Sequence, residues 1–368
     1  MKYMKMAAIA MMALALFSCK KNDEPKKAEN AVLRICINDA ELRALGTGYN
    51  TDDKTECMTD VVLTLDNGVT IKLENQDLKD AKDLDKGYTK EVNYAVNTVA
   101  LTANGTVDEN TTITSLQGKD LKTQIPLEAK ATAVTTTTEN GQTVYSVTLS
   151  PVPHVARVEV FGKIEPKPNG DKNAFKSITV QQVYINNYLP TRAAAKRTLC
   201  LTNGKDGFKT APETAMTDEI KATDLDEFVA GTKVAGYQLF PIKEGEATGT
   251  EFYDHVILKI KIEYSDAAIA AKPELKKMTE RYVTMVKFVD ATTASNPAIA
   301  SFEAGKIYKL NLKDLSDDFK TGNDGTPDPH NPDTPDPEPN AKRLLNVKVE
   351  SFTWKAVNIK PDVNGYKK

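Results

Sequence analysis

Short runs of alternating apolar and polar residues constrain the fold of this chain more than any other feature. Alternation with a period of two is typical of a strand that is buried on one face. Such runs recur between residues 60 and 312, whereas helical periodicity is confined to residues 75–86 and 267–280. The pattern predicts an all-β chain built from β-sandwiches. The cleanest face consists of Val256, Leu258, Ile260, Ile262 and Tyr264, and another consists of Tyr308, Leu310 and Leu312.

Turn and break signals divide these strands. Asn67-Gly68 stands between two alternating runs and predicts a β-hairpin. The alternation slips once near Gln181-Gln182, which predicts a β-bulge. Two prolines, two glycines and several charges fall within residues 162–173. We place a domain boundary there, with one sandwich at 44–162 and the other at 163–320.

The N-terminus has the pattern of a signal peptide, residues 1–18. Lys2 and Lys5 precede an apolar run that is too short to span a bilayer as a mature helix. The run ends in LFSC, which resembles the relaxed lipobox of Bacteroidetes, and this resemblance implies cleavage before Cys19 and acylation of that residue. The alternative is an ordinary signal sequence that happens to contain a cysteine.

The first strand pattern, residues 31–37, lies upstream of a basic residue in a polar stretch. Leu33, Ile35 and Ile37 alternate with polar residues, and Arg43-Ala44 follows just before a glycine-flanked segment. A trypsin-like protease that cuts at Arg43 would detach the strand. We therefore interpret residues 19–43 as a lipidated tether and a propeptide strand that is removed.

The C-terminus repeats the strand pattern behind a spacer. Residues 321–340 are acidic and contain six prolines, which favour an extended, semi-stiff conformation. The tail that follows, residues 341–368, would expose apolar side chains and unpaired backbone in water, so it needs a groove. Its alternating apolar residues are Leu345, Val347 and Val349 and then, in the opposite phase, Phe352 and Trp354.

The two ends together predict an assembly mechanism. Burial of Leu33, Ile35 and Ile37 contributes about 5–9 kcal/mol, at about 1.5–3 kcal/mol each, and the tail offers a similar amount. A tethered strand has an effective concentration in the millimolar range, about that of a short flexible linker. The tail of a neighbouring copy therefore fills the groove only after the tether is cut.

No pattern in the sequence points to catalysis. Signatures for a nucleophile elbow, a P-loop, a dinucleotide fingerprint and a zinc protease are absent. We interpret His154, His255 and His330 as structural, and we expect a non-enzyme without a metal or a cofactor. A net charge of −3 gives no reason to expect a nucleic-acid partner. Cys57 and Cys200 either pair or remain separate buried thiols.

Several motifs resemble the fimbrillins of Bacteroidetes, also called type V pilins. The motifs are the lipobox at Cys19, RALGTG at 43–48, PVPHVARVEVFGKI at 151–164, GYQLFPI at 236–242, FEAGKIYKLNL at 302–312 and LNVKVESFTWK at 345–355. The resemblance implies two transthyretin-like β-sandwich domains and a C-terminal donor-strand tail. It also implies export as an outer-membrane lipoprotein, cutting by an arginine-specific protease, and a cell-surface fimbrium that supports adhesion and biofilm formation. The partners would be other copies of the chain and accessory tip and anchor pilins, and the complete tail favours a stalk subunit.

Two alternative hypotheses for the function are also consistent with the lipobox. A surface glycan-binding lipoprotein of a polysaccharide-uptake system also combines a lipobox with β-sandwiches, but such proteins bind sugars through clustered aromatic residues. The chain has a single tryptophan, in its tail. A lipoprotein enzyme with carboxylate catalysis is the third reading.

Overall fold

The structure is a computed structural model in which the described residues form two compact units. Of the described residues, unit one contains 31–38, 63–100 and 130–149, and unit two contains 58–62, those between 101 and 129, and those from 150 onward. The described ranges are 31–38, 58–117, 125–165, 175–204, 207–210, 216–241, 254–277, 279–285, 287–290, 295, 298–299, 301–314, 346–353 and 357–359.

Strands dominate these ranges and confirm the predicted all-β fold. In chain order they are β1 (Ala31–Ile37), β2 (Val61–Leu65), β3 (Thr70–Leu73), β4 (Tyr88–Val92), β5 (Thr98–Ala103), β6 (Leu127–Ala133), β7 (Thr135–Glu139), β8 (Gln142–Leu149), β9 (Val152–Pro153), β10 (Ala156–Phe161), β11 (Phe175–Asn186), β12 (Leu201–Gly204), β13 (Gly207–Thr210), β14 (Thr217–Glu219), β15 (Ala235–Leu239), β16 (His255–Tyr264), β17 (Glu280–Met285), β18 (Lys287–Asp290), β19 (Ala298–Ile299), β20 (Lys306–Asn311), β21 (Asn346–Thr353) and β22 (Val357–Ile359). The α-helices are α1 (Gln76–Lys82), α2 (Leu225–Ala230) and α3 (Asp266–Ala271), and single 3₁₀ turns span Ile113–Leu116, Ala222–Asp224, Pro273–Lys277 and Leu312–Asp314.

The strands join into sheets of mixed direction. In unit one the order is β4-β1-β8-β7, with β1 antiparallel to β4 and parallel to β8. A second sheet has the order β3-β2-β5-β6-β9. In unit two the orders are β15-β10-β20-β21-β18-β19, where β22 also pairs with β20, and β14-β11-β16-β17, together with the hairpin β12-β13.

The predicted hairpin turn, β-bulge and buried strand face are all present in the structure. The turn between β2 and β3 contains Asn67 and Gly68, and the glycine has a φ of 81°, which a residue with a Cβ rarely adopts. The β11–β16 register shifts between Val180 and Gln182, where the bulge was predicted. The apolar face of β16 is buried along its whole length, with Tyr264 the most exposed member at 5%.

Strand β20 is buried on both faces, which alternation alone did not reveal. Tyr308 and Leu310 lie in the core as predicted, but Ile307 and Lys309 on the opposite face are also at most 2% exposed. Strand β20 is also an interior strand, with β10 on one side and β21 and β22 on the other. A strand that is buried on both faces has no solvent-facing side, so the alternation of apolar and polar residues does not show which of its residues are buried.

Candidate strand-exchange site

Strand β1 occupies the interior of the four-stranded sheet of unit one. It pairs with β8 over its full length, from Ala31 opposite Thr143 to Ile37 opposite Leu149. On its other side it pairs with β4, from Ala31 opposite Val92 to Ile35 opposite Tyr88. Both edges of β1 are therefore hydrogen-bonded, and its removal would leave two strands with unpaired edges facing a gap.

The inward face of β1 is the part of the site that the sequence predicted. Leu33, Ile35 and Ile37 are each 0% exposed, as is Ala31. Their alternation with half-buried residues gives the strand one apolar face, and this face explains why a short segment remains in the sheet. Burial of the three large side chains contributes about 5–9 kcal/mol at about 1.5–3 kcal/mol each.

The outward face of β1 is held by an ion pair that reaches across a neighbouring strand. Arg34 Nη1 and Nη2 donate to Glu139 Oε1 and Oε2 at 3.0 and 2.8 Å. Glu139 lies on β7, and β8 separates the two partners in the sheet. Arg34 is opposite Ser146 of β8, and Glu139 is opposite Gln142. Val144 lies between these two positions on the same outward face of β8, and it is only 3% exposed. The pair thus ties β1 to the far edge of the sheet.

The ion pair changes the titration of both partners. Hydrogen bonds from the guanidinium lower the pKa of Glu139 below its ordinary value, and the same bonds raise the pKa of Arg34. Cys36, the next outward residue of β1, has a raised pKa because burial disfavours the thiolate. Its Sγ lies 3.8 Å from the carbonyl oxygen of Leu84.

The predicted donor strand forms β21, which is held by unit two of its own chain. Its backbone runs antiparallel to β20, with Phe352 opposite Ile307, and parallel to β18, with Val347 opposite Phe288 and Val349 opposite Asp290. Strand β22 then runs parallel to β20. The tail therefore adopts the extended, sheet-paired conformation that a donor strand requires.

The remaining predicted site residues lie outside the described residues. These are Cys19, the predicted lipidation site, the predicted scissile pair Arg43-Ala44, and Leu345 and Trp354 of the tail. Their roles stay predictions.

The described histidines take part in polar contacts. His154 Nε2 lies 3.0 Å from Glu128 Oε2, and His255 is buried at the start of β16, while His330 lies outside the described residues. In the described part of the chain, no group of three or more His, Cys, Asp or Glu residues is placed to hold a metal ion. The helices among these ranges include none with the length and hydrophobicity to cross a bilayer.

Sequence reasoning missed the Arg34–Glu139 pair. The partners are 105 residues apart in the chain, and no local pattern links them. The one available signal is that Arg34 is the sole charged residue of β1. A charged side chain in the middle of an apolar strand is more stable when a group of opposite charge lies beside it.

Comparisons with known proteins find matches among solved structures. No family model and no curated protein matches it. Among solved structures, it is similar to a fimbrilin from Porphyromonas gingivalis, with 12% identity, a TM-score of 0.49 and coverage of 90% of this chain and 99% of the other. A candidate cell adhesion protein from Bacteroides eggerthii matches with 15% identity, a TM-score of 0.43 and coverage of 90% and 97%. A tip fimbrial protein from Porphyromonas gingivalis matches with 8% identity, a TM-score of 0.35 and coverage of 78% and 96%.

Proposed function

We propose that this chain is a structural stalk subunit of a surface fimbria, exported as a lipoprotein and polymerised by strand exchange after proteolysis. The observation that carries the proposal is the position of β1. An apolar strand with both edges paired fills the interior of a sheet, and a basic residue follows it within the next few positions. Its removal creates a groove that a second copy can fill.

The groove and the tail are matched in length and in pattern. Strand β1 has seven residues and β21 has eight. Three aliphatic residues alternate in each, Leu33, Ile35 and Ile37 in β1 and Leu345, Val347 and Val349 in the tail. An incoming tail restores the apolar contacts and the two hydrogen-bonded edges that β1 leaves behind.

Proteolysis is the switch in this mechanism because the exchange is close to balanced in contact energy. While β1 is tethered, it competes at an effective concentration in the millimolar range, about that of a short linker. Cutting after Arg43 by an arginine-specific protease removes this advantage. The tail must also leave β20 and β18 of its own unit two, so each subunit exchanges one set of backbone partners for another.

The lipid at Cys19 would keep the precursor on the outer membrane until it is cut. Acyl chains contribute about 0.8 kcal/mol per buried methylene, so more than one chain anchors a protein firmly. Cutting after Arg43 separates the anchor from the subunit, which then extends a fimbrium that serves adhesion and biofilm formation. Accessory tip and anchor pilins would begin and end the polymer.

A surface glycan-binding lipoprotein is the second candidate. It would keep its anchor and its first strand, and it would bind sugar without residues 341–368. The two functions separate in one experiment, which uses the purified full-length chain and an arginine-specific endoprotease. We expect the treated protein to form ladders of polymer on mild denaturing gels and fibres in electron micrographs.

The variant Arg43→Ala should remain a monomer after the same treatment. Lys54→Ala, which removes a basic residue further along the chain, is the matched control and should polymerise like the natural sequence. Fibres from Arg43→Ala, or a cut natural chain that stays monomeric, would contradict the proposal.

A further inference from the structure

Arg34 is a second arginine on the segment that the proposed function removes, and the inference below rests on that function. We propose that the Arg34–Ile35 bond is a cryptic cleavage site, shielded in the folded precursor and opened when β1 leaves the sheet. Hydrolysis there would make strand exchange irreversible. The protease that cuts after Arg43 would perform both cuts, in a fixed order.

The backbone around Arg34 is closed to a protease in the precursor. Endoproteases bind their substrates as extended, unpaired segments, in the manner of strand addition. Arg34 pairs with Thr89 of β4 and with Ser146 of β8, so neither edge of its backbone is free. To be cut, the segment must first leave both neighbouring strands.

The two side chains that flank Arg34 are buried, whereas the Arg34 side chain is 34% exposed and ion-paired. Leu33 and Ile35, which flank Arg34, are both 0% exposed. The guanidinium that an arginine-specific protease must recognise is engaged by both oxygens of Glu139. Strand β1 must therefore lose its core contacts and its ion pair before the protease can bind. Because this open form is populated for only a small fraction of the time, we expect cleavage of the Arg34–Ile35 bond in the folded precursor to be about a thousandfold slower than in the released segment.

A cut at this bond would prevent the released strand from returning. Before that cut, residues 31–37 still fit the groove and compete with an incoming tail. Water adds across the Arg34 carbonyl and the Ile35 nitrogen, the C–N bond breaks, and a carboxylate and an ammonium group are formed. Rebinding would place both charges in the interior of a sheet, which is strongly unfavourable. It would also divide the apolar set, with Leu33 on one fragment and Ile35 and Ile37 on the other.

The test is a time course of digestion of the full-length precursor with an arginine-specific endoprotease, followed by mass spectrometry. The reporter of the second cut is the peptide ICINDAELR, residues 35–43. In the natural sequence, we expect the cut after Arg43 first and the peptide only afterwards, as polymer forms. In Arg43→Ala, the Arg34–Ile35 bond should remain intact for the time in which the natural chain is fully cut after Arg43.

Two variants test the ion pair and the cleavage site separately. Glu139→Gln keeps the site and weakens the hold on Arg34, so the peptide should appear earlier but still after the first cut. Arg34→Gln removes the site, so an intact segment ending at Arg43 should accumulate and slow polymerisation until it is washed away. A cut at Arg34 in folded Arg43→Ala at the rate of the Arg43 cut would overturn the inference, as would an uncut natural segment persisting beside finished polymer. The proposed function is judged separately, by whether polymer forms at all.

Discussion

Arg157 and Glu159 lie two residues apart on β10, and Arg157 Nε donates to Glu159 Oε1 at 2.6 Å inside unit two. Both side chains are buried, at 9% and 0% exposure. They face the same side of an interior strand, between β15 and β20. Removal of one partner of a buried ion pair leaves a charge without compensation, which costs far more than the pair itself contributes.

We therefore expect Glu159→Ala to destabilise unit two by about 3–5 kcal/mol, in the range for broken buried pairs. Urea unfolding of the full chain measures the loss. The matched control is Glu303→Ala, which removes a carboxylate from an ion pair with Lys306 that is largely exposed and should cost under about 1 kcal/mol. Equal effects of the two substitutions would contradict this account of the interior.

The substitution Ile35→Ala should affect the precursor and not the fibre. In the precursor it leaves a cavity under β1, at a cost of about 2–5 kcal/mol to unit one. In the assembled fibre β1 has been discarded, so resistance to denaturant should equal that of fibres from the natural sequence. A fibre that is weakened as much as the precursor would show that β1 stays in place.

Acid should release the tie between Glu139 and Arg34. Because the folded-state pKa of Glu139 is lowered, its contribution to stability is present above its ordinary pKa of 4.5 and is lost as the pH falls through the lower folded value. We expect the natural precursor to exceed Glu139→Gln in stability at pH 7, and we expect this gap to be smaller at pH 3. Urea titrations at both pH values measure the difference, and a gap of the same size at pH 3 would count against the assignment.

Charged substitutions at the apolar positions of the tail should block assembly. Val347→Asp puts a carboxylate where the proposed exchange requires an aliphatic side chain, so the cut subunit should remain monomeric, whereas the control Glu350→Gln should polymerise normally. Size-exclusion chromatography after proteolysis separates monomer from polymer. Normal polymers of Val347→Asp would remove the tail from the mechanism.

Cys200 should resist alkylation in the folded protein. Burial raises the pKa of its thiol to about 12, and only the thiolate reacts. With iodoacetamide at pH 8, peptide mapping should find Cys200 unlabelled in the native chain and fully labelled in urea, while the half-buried Cys36 should react faster in the native precursor. Rapid native labelling of Cys200 would show that the site opens.

Much of the local structure was predictable from residues a few positions apart. The hairpin at Asn67-Gly68, the bulge near Gln181 and the buried face of β16 each depend on backbone and side-chain preferences that act within one strand or turn. The inward face of β1 was predictable for the same reason. These features required no knowledge of which strands are neighbours.

Features that depend on neighbours were not predictable. Lys309 and Glu159 alternate with apolar residues as if they faced solvent, yet both are buried, on the interior strands β20 and β10. The tie between Arg34 and Glu139 likewise depends on β8 lying between β1 and β7. Sheet order and the packing over each strand face decide these positions, and a single sequence without homologues carries little information about either.

N-terminal sequencing of the protein sheared from the surface of native cells tests whether β1 is discarded during assembly. We expect a start at Ala44, which means that Leu33, Ile35 and Ile37 have been discarded and another strand fills their groove. A polymer subunit that begins at acylated Cys19 and retains β1 would contradict this expectation, because the groove would then never be empty.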